Sequence, residues 1–234
     1  MFAIMRRELL SYFTSPLGYV FVAVFYLFSG IFLLLFTLSV QSADMSMVYT
    51  GMFFVMMIMV PILTMRLMAE ENKQKTDQLL LTAPISLPRL VMGKFFSALA
   101  VVLACVLIFA VYGIVLSFFA SVNWAVIWGN IVGMALLGSL FVSAGLFVST
   151  LTENQMIAAV GGIGLNIGFI LIDSFAAFMP TQLLADALRS LSFFSRYSEF
   201  TVGIFSLSNI FFFVSVSFIF IFLTVRVLEK RRWA

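Results

Sequence analysis

Six long apolar runs divide this chain, at roughly 19–39, 49–69, 92–119, 126–148, 155–174 and 209–227. A helix needs about 20 predominantly apolar residues to cross about 30 Å of hydrocarbon at about 1.5 Å per residue. Each run meets or approaches that length, and each is continuous. A barrel strand would alternate over about ten residues, so the pattern predicts six membrane-spanning helices. The first run, GYVFVAVFYLFSGIFLLLFTL, carries no charge. It exceeds the apolar core of a cleaved leader, about 7–15 residues, and reads as a retained span. Cleavage near SVQSAD is the alternative.

The pieces between the runs are patterned too. In MFAIMRRELLSYFTSPLG, a helical wheel places Phe2, Met5, Leu9, Tyr12 and Phe13 on one face. Arg7, Glu8, Ser11 and Thr14 fall opposite, with Ile4 as the exception and Arg6 at the edge. Such a helix is expected to lie in the membrane interface over residues 1–17, until Pro16 and Gly18 break it. It is either a simple anchor or a collar that touches a partner. Between the second and third runs, AEENKQKTDQLLLTAPISLPRLVMGK gathers seven charges and two prolines. Glu70 and Glu71 read as the start of a short helix, where negative charge is favoured. Pro84 then stops it, and a new helix starts near Pro88. Leu79, Leu80 and Leu81 must be covered, by the bilayer, by the bundle or by a groove on another protein. Beyond the fifth run, residues 175–208 are too apolar for a free loop and too interrupted for a span. Leucines at helical spacing predict a helical segment there, re-entrant or interfacial. Asp186 with Arg189, and Arg196 with Glu199, stand at i,i+3 spacing for weak pairing.

Charge sets the orientation. Six spans put both ends of the chain on one side. Eleven of the 13 Lys and Arg residues fall on that side, leaving only Arg189 and Arg196 on the other. Positive loops stay in the cytoplasm, so both termini and the 70–90 loop are expected to be cytoplasmic.

Composition narrows the chemistry. The chain is 63% hydrophobic and 10% charged, against about 25% charged residues in soluble domains. It has no histidine and one cysteine, Cys105. That excludes disulfide frameworks, Cys/His zinc clusters and Ser-His-Asp catalysis. No GxxxxGK[ST] phosphate loop occurs, so no nucleotide is expected on this chain, and no nucleic-acid partner either. Asp173 is the one acid within a run, and Asn166 lies about two turns earlier near the same face. They line a polar path, or Asn166 bonds between helices. The glycines at 161, 162, 164 and 168 read as close helix packing. The second run and its approach are rich in methionine, Met56 included. Adaptable packing or a substrate-lining face explains this better than a copper path, because neither cysteine nor histidine joins them.

The loop reads E-E-x-K-x-x-T-x-x-L-L-L-T-x-P-I-S, from Glu70, Glu71, Lys73 and Thr76 through Leu79–Leu81 to Ser86, with Gly93–Lys94 following. With the amphipathic N-terminus, the six spans, RYSEFTVGIFSLSNIFFF and the terminal LEKRRW, it resembles the type-2 exporter permeases of ABC transporters. It looks most like the branch holding the gliding-motility permease subunit and the permease of the nitrous-oxide-reductase maturation cluster. Lys75 and Asp77 stand where that family often has glycine and glutamate.

The resemblance implies an all-α membrane protein with a single permease domain over 1–234 and both termini inside, in the cytoplasmic membrane of a prokaryote. It implies a homodimer, with a separate ABC ATPase subunit binding ATP and magnesium. Arg6, Arg7 and the loop residues Glu70, Glu71, Lys73, Thr76, Leu79, Leu80 and Leu81 would couple to that subunit. Membrane lipids and an amphipathic substrate fit such a chain, with Asn166, Asp173 and Met56 as candidate path residues. The rival reading is a membrane anchor or signalling subunit that moves no solute. It would pass ATPase motion to an extracytoplasmic protein at Asp186, Arg189, Arg196 and Glu199.

Overall fold

The computed structural model describes residues 1–40, 44–75, 86–177 and 192–233, without the side chains of 173–177 and 233. All regular structure among them is helical. A short helix, α1 (Phe2–Thr14), precedes α2 (Pro16–Leu33), which ends in a wider turn over Leu34–Leu38. Next come α3 (Ser46–Thr64) and α4 (Arg66–Gln74), then α5 (Leu87–Val106) and α6 (Ile108–Ser117). The chain closes with α7 (Trp124–Leu151), α8 (Gln155–Ala177), α9 (Phe193–Thr201) and α10 (Leu207–Trp233).

Among the described residues, six helical stretches are long and apolar enough to cross a membrane. They are Pro16–Leu38, Ser46–Gln74, Leu87–Ser117, Trp124–Leu151, Gln155–Ile172 and Leu207–Arg232. The second runs five residues past the expected end at 69. Glu70 and Glu71 therefore sit in the last turns of a long helix and not at the start of a new one. Helical hydrogen bonds do not stop where the apolar run stops, and Lys75 ends the helix with a left-handed φ of 55°. The remainder of the expected loop helix, with Thr76, Leu79, Leu80 and Leu81, lies outside the described residues, as do Asp186 and Arg189.

The central element is α7, which packs against α3, α4, α5, α8, α9 and α10. Small residues let its neighbours in: a Cβ added at Gly138 would meet Val102 at 2.7 Å, and one at Gly133 would meet Phe200 at 2.8 Å. Asn123 caps the helix, its Oδ1 accepting from the Ala125 amide at 3.1 Å. The α9 segment does not lie apart from the bundle. Phe193, Tyr197 and Phe200 are buried, and Tyr197 Oη donates to the Tyr49 carbonyl at 3.2 Å.

Two breaks shape the second span. Pro61 has no amide proton, so the carbonyl four residues earlier, at Met57, loses its helical donor. Asn166 of α8 replaces it, donating from Nδ2 to the Met57 oxygen at 3.0 Å. Gly162 lets α8 come that close, since a Cβ there would stand 2.9 Å from Pro61. One turn later the helix breaks at Met65. Ser149 of α7 splints this gap, its Oγ accepting from the Met68 and Ala69 amides at 3.1 Å each. The same hydroxyl donates to the Met65 carbonyl at 2.8 Å. A side chain inserted into the ladder in this way is a recognised cause of a helix kink.

Candidate coupling site

The end of the bundle that carries both termini holds a polar assembly built from α1, α4 and α5. Its centre is Lys94, in the second turn of α5, with 1% of its side chain exposed. An ammonium has three protons to donate, and Lys94 has three acceptors. Nζ reaches Glu71 Oε1 of α4 at 2.8 Å, Glu8 Oε1 of α1 at 3.3 Å and the Leu67 carbonyl at 2.5 Å. Beside it, Arg66 donates to Ser15 Oγ at 2.9 Å and Ser11 Oγ at 3.2 Å, and its Nε pairs with Glu70 Oε2 at 3.1 Å. Tyr12 Oη donates to the Leu63 carbonyl at 3.1 Å. Burial, with the Glu8 carboxylate nearby, pushes the Tyr12 phenol well above its ordinary pKa, so it stays a donor.

These contacts reverse one expectation for α1. Glu8 and Ser11 of its polar face dock on the bundle, as does Tyr12 of its apolar face, while Arg7 and Thr14 stay exposed. Its apolar face, with Phe2, Met5, Leu9 and Phe13, lines an open groove. The exception on the polar face, Ile4, now has a reason: it packs on Gly93, where an added Cβ would stand 3.0 Å away. The Gly93–Lys94 pair thus does two jobs on α1, admitting Ile4 and pairing Glu8.

The assembly surrounds a cleft of about 180 Å³ lined by Arg7, Glu8, Arg66, Glu70, Glu71 and Lys94 among others. Among its described lining residues three cations face three carboxylates, a balance that favours neither sign of free ion. Its chemistry is mechanical: it fixes α1, α4 and α5 to one another. Asn72 extends the tie to α7, donating to the Thr152 carbonyl at 3.3 Å. The helix α4 is therefore braced on three sides, by α1, α5 and α7.

A family model described as "ABC-2 family transporter protein" matches residues 12–172. This chain belongs to the ABC-2 family. With six apolar helices it is a multi-pass transmembrane permease subunit of the ABC type, a transporter component. The match takes in Arg66, Glu70, Glu71 and Lys94 but begins after Glu8. No curated protein matched the chain.

The remaining candidate residues of the permease fall in separate places. Glu70 and Glu71 join the Lys94 assembly, and Lys73 lines a second cleft, with Glu153 and Gln155. Arg6 and Arg7 are exposed on α1. Asn166 and Met56 are buried in the core, Asn166 as the inter-helix donor to Met57. Arg196 and Glu199 converge on Asn209 of α10, at 2.9 Å and 2.6 Å, and Arg196 also covers the Phe212 ring at 4.4 Å.

Sequence reasoning passed over Lys94, Glu8, Ser149 and Asn72 as working residues. For Lys94 a signal was present: a lone cation inside an apolar run calls for a carboxylate partner.

Proposed function

We propose that this permease forms the membrane half of an ATP-driven exporter, in the branch the loop motif resembles. It lies in the cytoplasmic membrane of a prokaryote, with both termini in the cytoplasm. Two copies form the pore. A separate ABC ATPase subunit, carrying ATP and magnesium, docks on α1 and on the loop that follows α4. Closure of the ATPase pair pushes on that loop, and the braced cytoplasmic end moves as one piece. The spans then switch between two packings and release an amphipathic substrate outward.

The observation that carries this reading is the Lys94 assembly. A helix that leads only to a passive loop needs no buried three-way tie to the N-terminal helix and the third span. A lever does, because force applied to a loose segment is lost in local motion. For the second copy, α8 offers a face on which an added Cβ at Gly164 or Gly168 would meet nothing within 4 Å. Glycines four residues apart on a lipid-facing helix suit close helix pairing.

The test is to express the chain with a candidate ABC ATPase subunit and to replace Leu79 and Leu80 by aspartate. The wild-type pair should copurify and the variant should not. Unchanged copurification would remove the loop from the docking surface.

A further inference from the structure

The opposite end of the bundle holds a cavity that the coupling assembly does not use. It measures about 240 Å³ and lies where the approach to α3 meets the α6–α7 loop. Asp44, Tyr49, Ser121 and Asn123 line it, with apolar walls from Met45, Val122, Val126 and Ile127. Tyr49 is 1% exposed, and its hydroxyl has no hydrogen-bond partner. A buried hydroxyl left without a partner is destabilising. Its ring is held by Phe109 at 5.3 Å and its carbonyl by Tyr197, so the side chain is fixed toward the cavity.

Two polar neighbours are set in place by their own backbones. Asp44 Oδ1 accepts from the Ser46 amide at 2.9 Å and from its hydroxyl at 2.5 Å. Asn123 Oδ1 accepts from the Ala125 amide at 3.1 Å. Among the described residues of the lining, Asp44 is the one charged side chain. No group of three or more metal-ligating side chains occurs among the described residues, and the cavity is far larger than a bare ion.

We propose that this cavity binds a primary alkylammonium group. The ammonium sits against the Asp44 carboxylate and donates to Tyr49 Oη, and the attached alkyl chain lies on Val122, Val126 and Ile127. The cavity lies at the ends of apolar helices, and Phe118, Phe119 and Trp128, close in the chain to its lining residues, are exposed. Aromatic side chains concentrate at headgroup depth. The ammonium therefore comes either from an ethanolamine phospholipid or from a free amine. The proposal is independent of the exporter reading and of which membrane face the cavity occupies.

The test is thermal unfolding and amine titration of the full-length permease in nanodiscs of phosphatidylcholine and phosphatidylglycerol, with n-hexylammonium as probe and n-hexanol as its neutral counterpart. Hexylammonium should raise the Tm of the wild type, and hexanol should not. Tyr49→Phe should raise the Tm without any amine, because it deletes an unpaired hydroxyl, and should weaken hexylammonium about tenfold, the loss of one charge-assisted hydrogen bond. Asp44→Asn should abolish the amine response. With phosphatidylethanolamine in the disc, a raised Tm and no further amine effect identify the lipid as the source. An amine effect that persists there identifies a free amine. Equal shifts with hexanol, an amine response intact in both variants, or a Tm lowered by Tyr49→Phe would overturn the proposal.

Discussion

Replacing Lys94 by methionine keeps the length of the side chain and removes its charge. Glu8 and Glu71 would then face each other with 14% and 13% of their side chains exposed. The Leu67 carbonyl would lose its external donor. Breaking a buried pair from one side costs about 3–5 kcal/mol, because the surviving charge is stranded. Here Glu8 and Glu71 both lose the ammonium they share, so Lys94→Met should fall within that range. Glu8→Gln in the Lys94→Met background should recover part of the loss, since only one carboxylate then remains. The assay is a double-mutant cycle by denaturant unfolding in detergent micelles, with Glu8→Gln alone as the fourth corner. A coupling energy above about 1 kcal/mol between Lys94 and Glu8 fits a buried tie. Additivity, with Lys94→Met costing less than about 1 kcal/mol, is the behaviour of an exposed surface pair and would refute the reasoning.

Ser149→Ala should destabilise by about 1–3 kcal/mol, because the Met68 and Ala69 amides lose their acceptor in a buried setting; unfolding midpoints check this, and near-neutrality would mean that the helix heals itself. Asn166→Leu should be destabilising alone but much less so together with Pro61→Ala, whose restored amide can bond the Met57 carbonyl again; equal losses in both backgrounds would contradict the donor-replacement account. Gly93→Leu should displace α1, seen as faster proteolysis near the N-terminus, and Ile4→Ala should relieve it. Gly164→Leu together with Gly168→Leu should weaken self-association in lipid, read by single-molecule photobleaching.

The spans were legible because lipid imposes one rule on every segment that crosses it: length and apolarity together. The ends were less so. Hydropathy changes at residue 69, but the helix continues to Gln74, because backbone hydrogen bonding is indifferent to the change of solvent. The two faces of α1 were also legible, and their destinations were not. A polar face that meets water and one that meets Arg66 and Lys94 have the same residue pattern. Only Ile4, misplaced on that face, hinted at protein contact. Pro61 likewise announced an unpaired carbonyl at Met57, while the identity of its donor, Asn166, depends on how α8 lies across α3. The Lys94 assembly joins residues 8, 71 and 94, and no local pattern links positions so far apart in the chain.

The central claim is that the chain's driving subunit attaches where α4 ends. Cysteine cross-linking from Leu80→Cys tests it most directly, since the one native thiol, Cys105, is buried. In membranes holding the permease and the ABC ATPase subunit that copurifies with it, a short thiol-to-amine cross-linker should join Leu80→Cys to the ATPase subunit. Reaction of that cysteine with an impermeant maleimide added outside intact cells, with no cross-link to the ATPase, would contradict it.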